Sequence, residues 1–290
     1  MNEKLVSIGI PTYNSHDRLG ALLENFQKQT YRNLELIVSD DASGDTTFSV
    51  CQSYAAGDPR IRCIRQEKNL GQLGNFPFVL KEARGEYFMW ASDDDHWDDA
   101  FVATLVDILE SHPECGVAMS SYARVFQDHP QKVFLLEGPY DLRGRSYLYS
   151  FRQMVLDAPI HIISYGIFRK DFFARLMQRQ RPECMRWERV LMAEVTLATR
   201  IYTIPEVLFF KHVNAIPVAA RYQDALSRAY GKPCALFRYA FALLLRQLTS
   251  PLIPWHRKLY VMIPWIELLI WRRRSYFEDF VRGLKIILRF

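Results

Sequence analysis

No glycine-rich phosphate loop follows the first apolar run of this chain. After LVSIGI the sequence continues PTYNSHDR and reaches no further glycine until Gly20. That excludes at this position both the GxGxxG turn of a dinucleotide-binding βαβ unit and the GxxxxGK loop of a nucleoside triphosphatase. Long apolar stretches are missing as well. The run from 259 to 271 is 13 residues and contains Glu267, too short and too polar to span a bilayer. Cysteine is scarce: Cys51, Cys63, Cys115, Cys184 and Cys234 make an odd number with no close pair. That spacing argues against a disulfide framework and a cysteine zinc site, and suits a reducing compartment. The opening residues MNEKLVSIGIPTYN carry Glu3 and lack a positively charged start and a small-residue cleavage site. They do not read as a signal peptide, and a cytoplasmic location is expected.

What is present fits a globular chain. Its 290 residues are 49% hydrophobic, enough for one large domain or two small ones with real cores. Charge is uneven along the chain. Residues 251–290 hold eight Lys/Arg against three acids, a surplus of +5 that equals the formal charge of the whole chain.

Strand and helix patterns alternate. LVSIGI (5–10), LELIVSD (34–40), IRCIR (61–65), EYFMWA (86–91) and CGVAMSSY (115–122) read as strands. Between them, Leu19, Leu22, Leu23 and Phe26 recur at helical spacing, as do Phe101, Leu105 and Leu109; helices are also expected after Asp45 and over 70–84. The alternation predicts an α/β fold with a mostly parallel sheet covered on both faces. Ligands bind such sheets outside the carboxyl ends of the strands. PTYNS (11–15), DDASGD (40–45) and SDDDHW (92–97) each follow a strand directly, so all three are expected on one sheet edge. A lone acid pair there would read as a solvated loop or as helix N-terminal acids. Three consecutive acids repel one another unless a cation is present, and a hard divalent ion with phosphate partners would relieve that repulsion.

VSIGIPTYNSHDRLGALLENFQKQTYRNLELIVSDDASGDTT, then NLGQLGNFPFVLKEARGEYFMWASDDDHW, resembles the amino-terminal half of a family 2 glycosyltransferase of the GT-A fold, over roughly residues 4 to 120. The resemblance implies a Rossmann-like sheet with flanking helices and inverting transfer of a sugar from a nucleotide donor. It implies that Pro11 and Tyr13 pack around the nucleotide base and that Asp41, with Asp40 beside it, hydrogen-bonds a uracil ring. SDDD resembles the metal motif for Mn²⁺ or Mg²⁺: Asp94 is the direct ligand, Asp93 a contact to ribose or sugar, and Asp95 is next in line. The commoner form is DxDD and Ser92 stands at its first position, so which two of the three acids touch the metal stays open. Such an ion stabilises charge on the departing diphosphate as a Lewis acid, and the acceptor hydroxyl needs a general base.

HIISYGIFRKDFF (161–173) resembles the family's acceptor-side strand leading into a helix, and residues 187–212 resemble the family's next segment. Counting back from IPEVL, the family's usual Asp falls on Glu188, one methylene longer; the bland reading is an exposed acid in a first helical turn. Glu194 competes, although six residues on it points to another face of the same helix. His212 sits where some members place a residue near the metal or diphosphate, but a lone His is more often structural. His96 could hydrogen-bond the acids or cap a helix. Asn69 and Asn75 match a pattern that serves loop geometry, and Trp90 and Trp97 read as core and wall.

The tail is a different object. ALFRYAFALLLRQL (235–248) reads as an amphipathic or buried helix, and Trp255, Trp265 and Trp271 lie beside Arg and Lys. Aromatic anchors with basic neighbours predict contact with the anionic cytoplasmic membrane surface; the alternative is a helical cap or a homodimer interface. No stacking or binding motif accompanies the basic stretch, so nucleic acid is not an expected partner. The organisation read from the sequence is a nucleotide-sugar-binding half (1–120), an acceptor-binding half of the same domain (121–215) and a basic helical region (216–290). The expected function is metal-dependent transfer of a sugar from a nucleotide donor, UDP-linked, to a hydroxyl of a saccharide or lipid-linked saccharide in surface polysaccharide or glycolipid assembly. A non-catalytic nucleotide-sugar-binding protein of this fold and a sugar nucleotidyltransferase are the alternatives.

Overall fold

The computed structural model describes residues 3–126, 129–135, 142–156, 159–179, 187–213, 235–271, 273–275, 277, 278 and 281. The chain divides into two compact units, one of Met1–Arg143, Ile163–Gln178 and Ile201–Asn214, the other of Gly144–Ile162, Arg179–Arg200 and Ala215–Phe290. Cys184, Cys234 and the tail cations Arg272, Arg282, Lys285 and Arg289 lie outside the described residues.

The first unit is built on its apolar runs. β1 (Val6–Thr12) and β2 (Leu34–Asp40) are buried along almost their whole length, as near-continuous apolar strands of a parallel sheet should be. They pair in parallel from Val6 opposite Leu34 to Thr12 opposite Asp40. β3 (Ile61–Arg65) extends the sheet beyond β2, and β4 (Tyr87–Trp90) lies parallel to β1 on its other side. α1 (Leu19–Lys28), α2 (Thr47–Gly57) and α3 (Gly71–Glu82) make the crossovers. Leu19, Leu22, Leu23 and Phe26 of α1 are buried, which is the helical stripe the sequence showed. β1 runs two residues further than its apolar pattern, through Pro11. Proline is tolerated there because pairing with β4 stops at Gly9.

The later strands turn the sheet antiparallel. They are β5 (His96–Trp97), β6 (Cys115–Phe126), β7 (His129–Leu135), β8 (Ile167–Arg169) and β9 (Arg200–Val213), with α4 (Phe101–Ser111) before β6 and α6 after β8 at Lys170–Gln178; α5 (Tyr147–Leu156) belongs to the second unit. Among the described residues the order is β3-β2-β1-β4-β8-β6-β9-β5, with β7 paired to β6. This is the α/β sheet with flanking helices that the sequence predicts.

One expectation is corrected. Cys51 on α2 and Cys63 on β3 form a disulfide, with their Cα atoms 6.1 Å apart. α2 packs back against β3, and that folding closes a 12-residue separation which linear spacing presents as no pair. Cys115 is buried and joins no disulfide among the described residues.

In the second unit α5 is joined by α7 (Trp187–Ala198), α8 (Ala235–Leu248), α9 (Trp255–Lys258) and α10 (Met262–Trp271). Its polar centre is Glu194, fully buried, which accepts hydrogen bonds from Arg179 Nη1 at 2.5 Å, Arg246 Nε at 2.5 Å and Ser250 Oγ at 2.6 Å. Gln247 Nε2 donates to the Val190 carbonyl at 3.1 Å, and Trp265 Nε1 donates to the Ala240 carbonyl at 2.8 Å. Arg257 fixes α9: its guanidinium stacks over the Tyr147 ring at 3.5 Å and donates to the Leu197 carbonyl at 3.0 Å.

Two substitutions test these supports. A Cβ at Gly85 would lie 2.5 Å from the Leu5 carbonyl oxygen and 2.9 Å from the Ser7 nitrogen, backbone atoms that cannot swing aside. Gly85→Ala should lower the unfolding free energy in urea by about 1–3 kcal/mol; no measurable change would mean that the entry to β4 is not close-packed. Glu194→Gln leaves two guanidiniums without their charge partner and should cost about 3–5 kcal/mol. A Glu194→Gln protein of normal stability that had lost only activity would instead make this residue a participant in chemistry.

Candidate active site

Three loops meet at the carboxyl ends of the parallel strands. The loop after β1 is shaped by Asn14, whose φ of 50° lies in the left-handed region that Asn tolerates better than most residues. Asn14 N–H donates to Ser43 Oγ at 2.9 Å and its Oδ1 accepts from Gly44 N–H at 3.0 Å. Ser15 N–H donates to Thr47 Oγ1 at 2.7 Å. These bonds tie the loop after β1 to the loop after β2.

Asp41 is buried and accepts hydrogen bonds from Leu70 N–H at 2.7 Å and Gly71 N–H at 2.9 Å, amides at the start of α3 that have no partner within the helix. Each carboxylate oxygen keeps a further lone pair. Asp40 is fully buried; its Oδ1 accepts from Ser43 N–H at 3.2 Å and its Oδ2 lies 3.5 Å from Arg65 Nε. Asn75 exchanges hydrogen bonds with Ser39, 2.6 Å to its hydroxyl and 2.9 Å to its carbonyl, so it holds α3 against β2.

The three consecutive acids after β4 part company. Asp93 turns to the loop after β1, where its Oδ2 accepts from Thr12 Oγ1 at 3.3 Å and from Ser15 Oγ, and lies 3.6 Å from Arg18 Nη2. Asp95 turns inward to β9: its Oδ2 accepts from Lys211 Nζ at 2.8 Å and its Oδ1 from His212 N–H at 3.0 Å. Asp94 stays half-buried; its Oδ1 accepts from Ser92 Oγ at 2.5 Å. Among the described residues its Oδ2 accepts no hydrogen bond. Two protein cations therefore take up two of the three carboxylates.

Electrostatics track the burial. Burial pushes the Asp95 carboxyl up, and the Lys211 ammonium and His212 N–H hold it back. Burial works against the Lys211 ammonium, but Tyr165 and Asp95 outweigh it and raise Lys211 above the usual lysine range. Lys211 also sits 4.7 Å over the ring of Tyr165. Burial and the neighbouring His212 lower the His96 imidazole. Trp97 is core, its ring 5.1 Å from both Phe26 and Phe209, and Trp90 donates its indole N–H to the Phe76 carbonyl at 3.1 Å.

A cleft of about 370 Å³ opens between these loops, with Pro11, Tyr13, Arg18, Asp41, Asn75 and Asp93 in its wall. That volume lies in the range of small-molecule sites. Tyr13 is 50% exposed and lines the same cleft as Asp41. No group of three or more His, Cys, Asp or Glu side chains converges among the described residues. A divalent ion shared with a diphosphate needs no such cage, since one or two carboxylates plus phosphate oxygens suffice. The open oxygen of Asp94 fits that requirement.

The structure places Glu188 in the second unit, in the first turn of α7. Burial raises its carboxyl above the ordinary Glu range. A hydrogen bond from its own backbone N–H holds that rise back, and no other described residue donates to or pairs with its carboxylate. Glu194, on the same helix, is saturated by Arg179, Arg246 and Ser250. Sequence reasoning did not single out Thr12, Ser15, Arg18, Tyr165 or Lys211. The first three lie within or beside the PTYNSHDR stretch already marked as a strand-end loop. Lys211 had no such signal, because VLFFKH reads only as the end of a strand.

Residues 7–176 match the family described as Glycosyl transferase family 2. The UDP-Glc:alpha-D-GlcNAc-diphosphoundecaprenol beta-1,3-glucosyltransferase WfaP of Escherichia coli is 34% identical over 108 residues, covering 37% of this chain and 42% of that protein. The GalNAc(5)-diNAcBac-PP-undecaprenol beta-1,3-glucosyltransferase of Campylobacter jejuni is 34% identical over 122 residues, covering 42% of this chain and 37% of that protein. The match thus spans less than half the length of either relative. Among solved structures, S. aureus TarS 1-349 in complex with UDP-GlcNAc superposes with a TM-score of 0.69 at 16% identity, covering 97% of this chain and 80% of that one. At such identity the likeness is one of fold. With the family match covering more than half of its length, the chain belongs to glycosyltransferase family 2.

Proposed function

We propose that this protein transfers a sugar, with inversion, from a UDP-linked donor to a hydroxyl of a lipid-linked saccharide at the cytoplasmic face of a membrane. The observation that carries the reading is the cleft at the strand ends, with Tyr13 and Asp41 in its wall together with Asp93, and with Asp94 next to Asp93 in the chain. WfaP, by its name, uses UDP-Glc and an undecaprenol-diphosphate-linked sugar, and the TarS structure was determined with UDP-GlcNAc; both support this donor and acceptor class.

In this reading Pro11 and Tyr13 pack against the uracil ring, and Asp41 accepts its imide N–H with the lone pairs that α3 leaves free. Asp93, held by Thr12, Ser15 and Arg18, orients the ribose or sugar. Asp94 holds a divalent cation with its open oxygen; when bound, the ion supplies Lewis-acid stabilisation of the departing diphosphate. Asp95 keeps the acidic loop on β9 through Lys211 and His212. Glu188 is the general base that takes the acceptor hydroxyl proton. A carboxyl raised by burial, with no cation paired to it among the described residues, suits proton transfer better than an ordinary surface acid.

Calorimetry with UDP, with and without Mn²⁺, tests the donor site. Binding should require the metal and be lost in Asp94→Ala, and saturation at a hundredfold excess over Kd should add about 2.7 kcal/mol of stability. Failure to bind any nucleotide would remove the transferase reading. Glu188→Gln should bind UDP normally and lose transfer by a factor of about 10² or more. Because the base must be ionised and burial raises its pKa, the transfer rate should fall with decreasing pH at values above those of an ordinary Glu. An acid limb in the ordinary Glu range, or normal turnover by Glu188→Gln, would move the base elsewhere.

A further inference from the structure

Among the described residues, the helices of the second unit expose several large apolar side chains. On α8, Phe241, Leu245 and Leu248 are exposed at i, i+4 and i+7. The opposite positions Tyr239, Ala240 and Leu243 are buried. Leu259, Ile263, Ile266 and Ile270 form a second stripe at i, i+4, i+7 and i+11 along the turn after α9 and α10. The exposed members are not marginal: Phe241 is 58% exposed, and Ile263 and Ile270 59% each. A helix that packs one stripe on its neighbours needs only that stripe to be apolar, so the second, outward stripe calls for an occupant.

Its surroundings identify that occupant. Trp255 and Trp271 bound the second stripe, exposed at 75% and 60%. His256 and Lys258 stand beside the first, Arg273 and Arg274 beside the second. Arg257 is engaged with Leu197 and Tyr147, so it belongs to the fold. The acid within the stripe, Glu267, is neutralised by Arg152, whose Nε donates to Glu267 Oε2 at 2.7 Å. The last forty residues carry the chain's whole surplus of +5. No helix among the described residues is long and apolar enough to cross a membrane. Exposed apolar stripes bounded by indoles and cations, on helices too short to span, match elements that lie in the plane of a lipid surface. We infer that α8 and the α9–α10 segment form a docking surface for an anionic lipid bilayer, entered by Phe241, Leu245, Ile263, Ile266 and Ile270, with Lys258, Arg273 and Arg274 on the headgroups. The inference does not depend on the transferase reading.

Flotation of the full chain with phosphatidylcholine vesicles, with and without phosphatidylglycerol, tests it at low and high salt. The protein should float with anionic vesicles at low salt and much less with neutral ones or at high salt. Arg273→Gln with Arg274→Gln should weaken binding about thirtyfold, at the usual gain per cation near an anionic surface. Ile263→Glu with Ile270→Glu should abolish flotation while leaving the thermal midpoint unchanged, since both side chains are exposed. No flotation at low salt, or flotation that survives the double Glu variant, overturns the inference. So does a dimeric mass by light scattering that the same variant converts to monomer, because the stripe would then be covered by a second copy. UDP binding measured on the same samples reads the donor site separately. Flotation without nucleotide binding would sink the transferase proposal and leave this one standing.

Discussion

Carboxylates on three consecutive residues cannot converge without a counter-charge, and the way this chain relieves that repulsion governs its site. Asp93 is drawn toward Arg18 and the hydroxyls of the loop after β1. Asp95 is drawn into the core by Lys211 and a β9 amide. With one neighbour held on each side, the carboxylate of Asp94 is left between them with an oxygen that no described residue engages. The protein thus commits two of its own cations to present one acid. The same two contacts also join the acidic loop to β1 and to β9, so the site and the sheet are stabilised by the same bonds.

The second unit applies the same physics to another end. Glu194 is fully buried, and a lone carboxylate there would carry a heavy desolvation cost. Arg179, Arg246 and Ser250 remove that cost by filling both oxygens. Six residues earlier on the same helix, Glu188 is largely buried without a cation beside it among the described residues, and burial holds its proton more tightly. Two acids of one helix are distinguished by their surroundings and not by their own chemistry.

Much of the fold was legible in the chain. β2 and β3 coincide with the runs LELIVSD and IRCIR; β2 is buried along its whole length, as an apolar run in a covered parallel sheet should be, whereas β3 is the partly exposed edge strand. α1 and α4 followed from their stripes. The Cys51–Cys63 disulfide was not legible: it joins a helix to the next strand, and whether their side chains meet depends on how α2 lies on the sheet. Nor was the difference between Asp93, Asp94 and Asp95. The motif showed that acids gather at a strand end, whereas their partners come from residues 12–18 and 211–212.

The sequence by itself determined that an α/β sheet forms, that three polar loops lie at its carboxyl edge, and that the tail is basic and aromatic. Periodicity, strand-end polarity and composition are local properties, and each is written in consecutive residues. Tertiary structure alone decided which acid stays open, which Glu on α7 is saturated, which cysteines pair, and which apolar residues of the tail helices face outward. Each of those outcomes depends on groups distant in sequence becoming neighbours, where burial and counter-charge set the protonation and availability of a side chain that its identity leaves open.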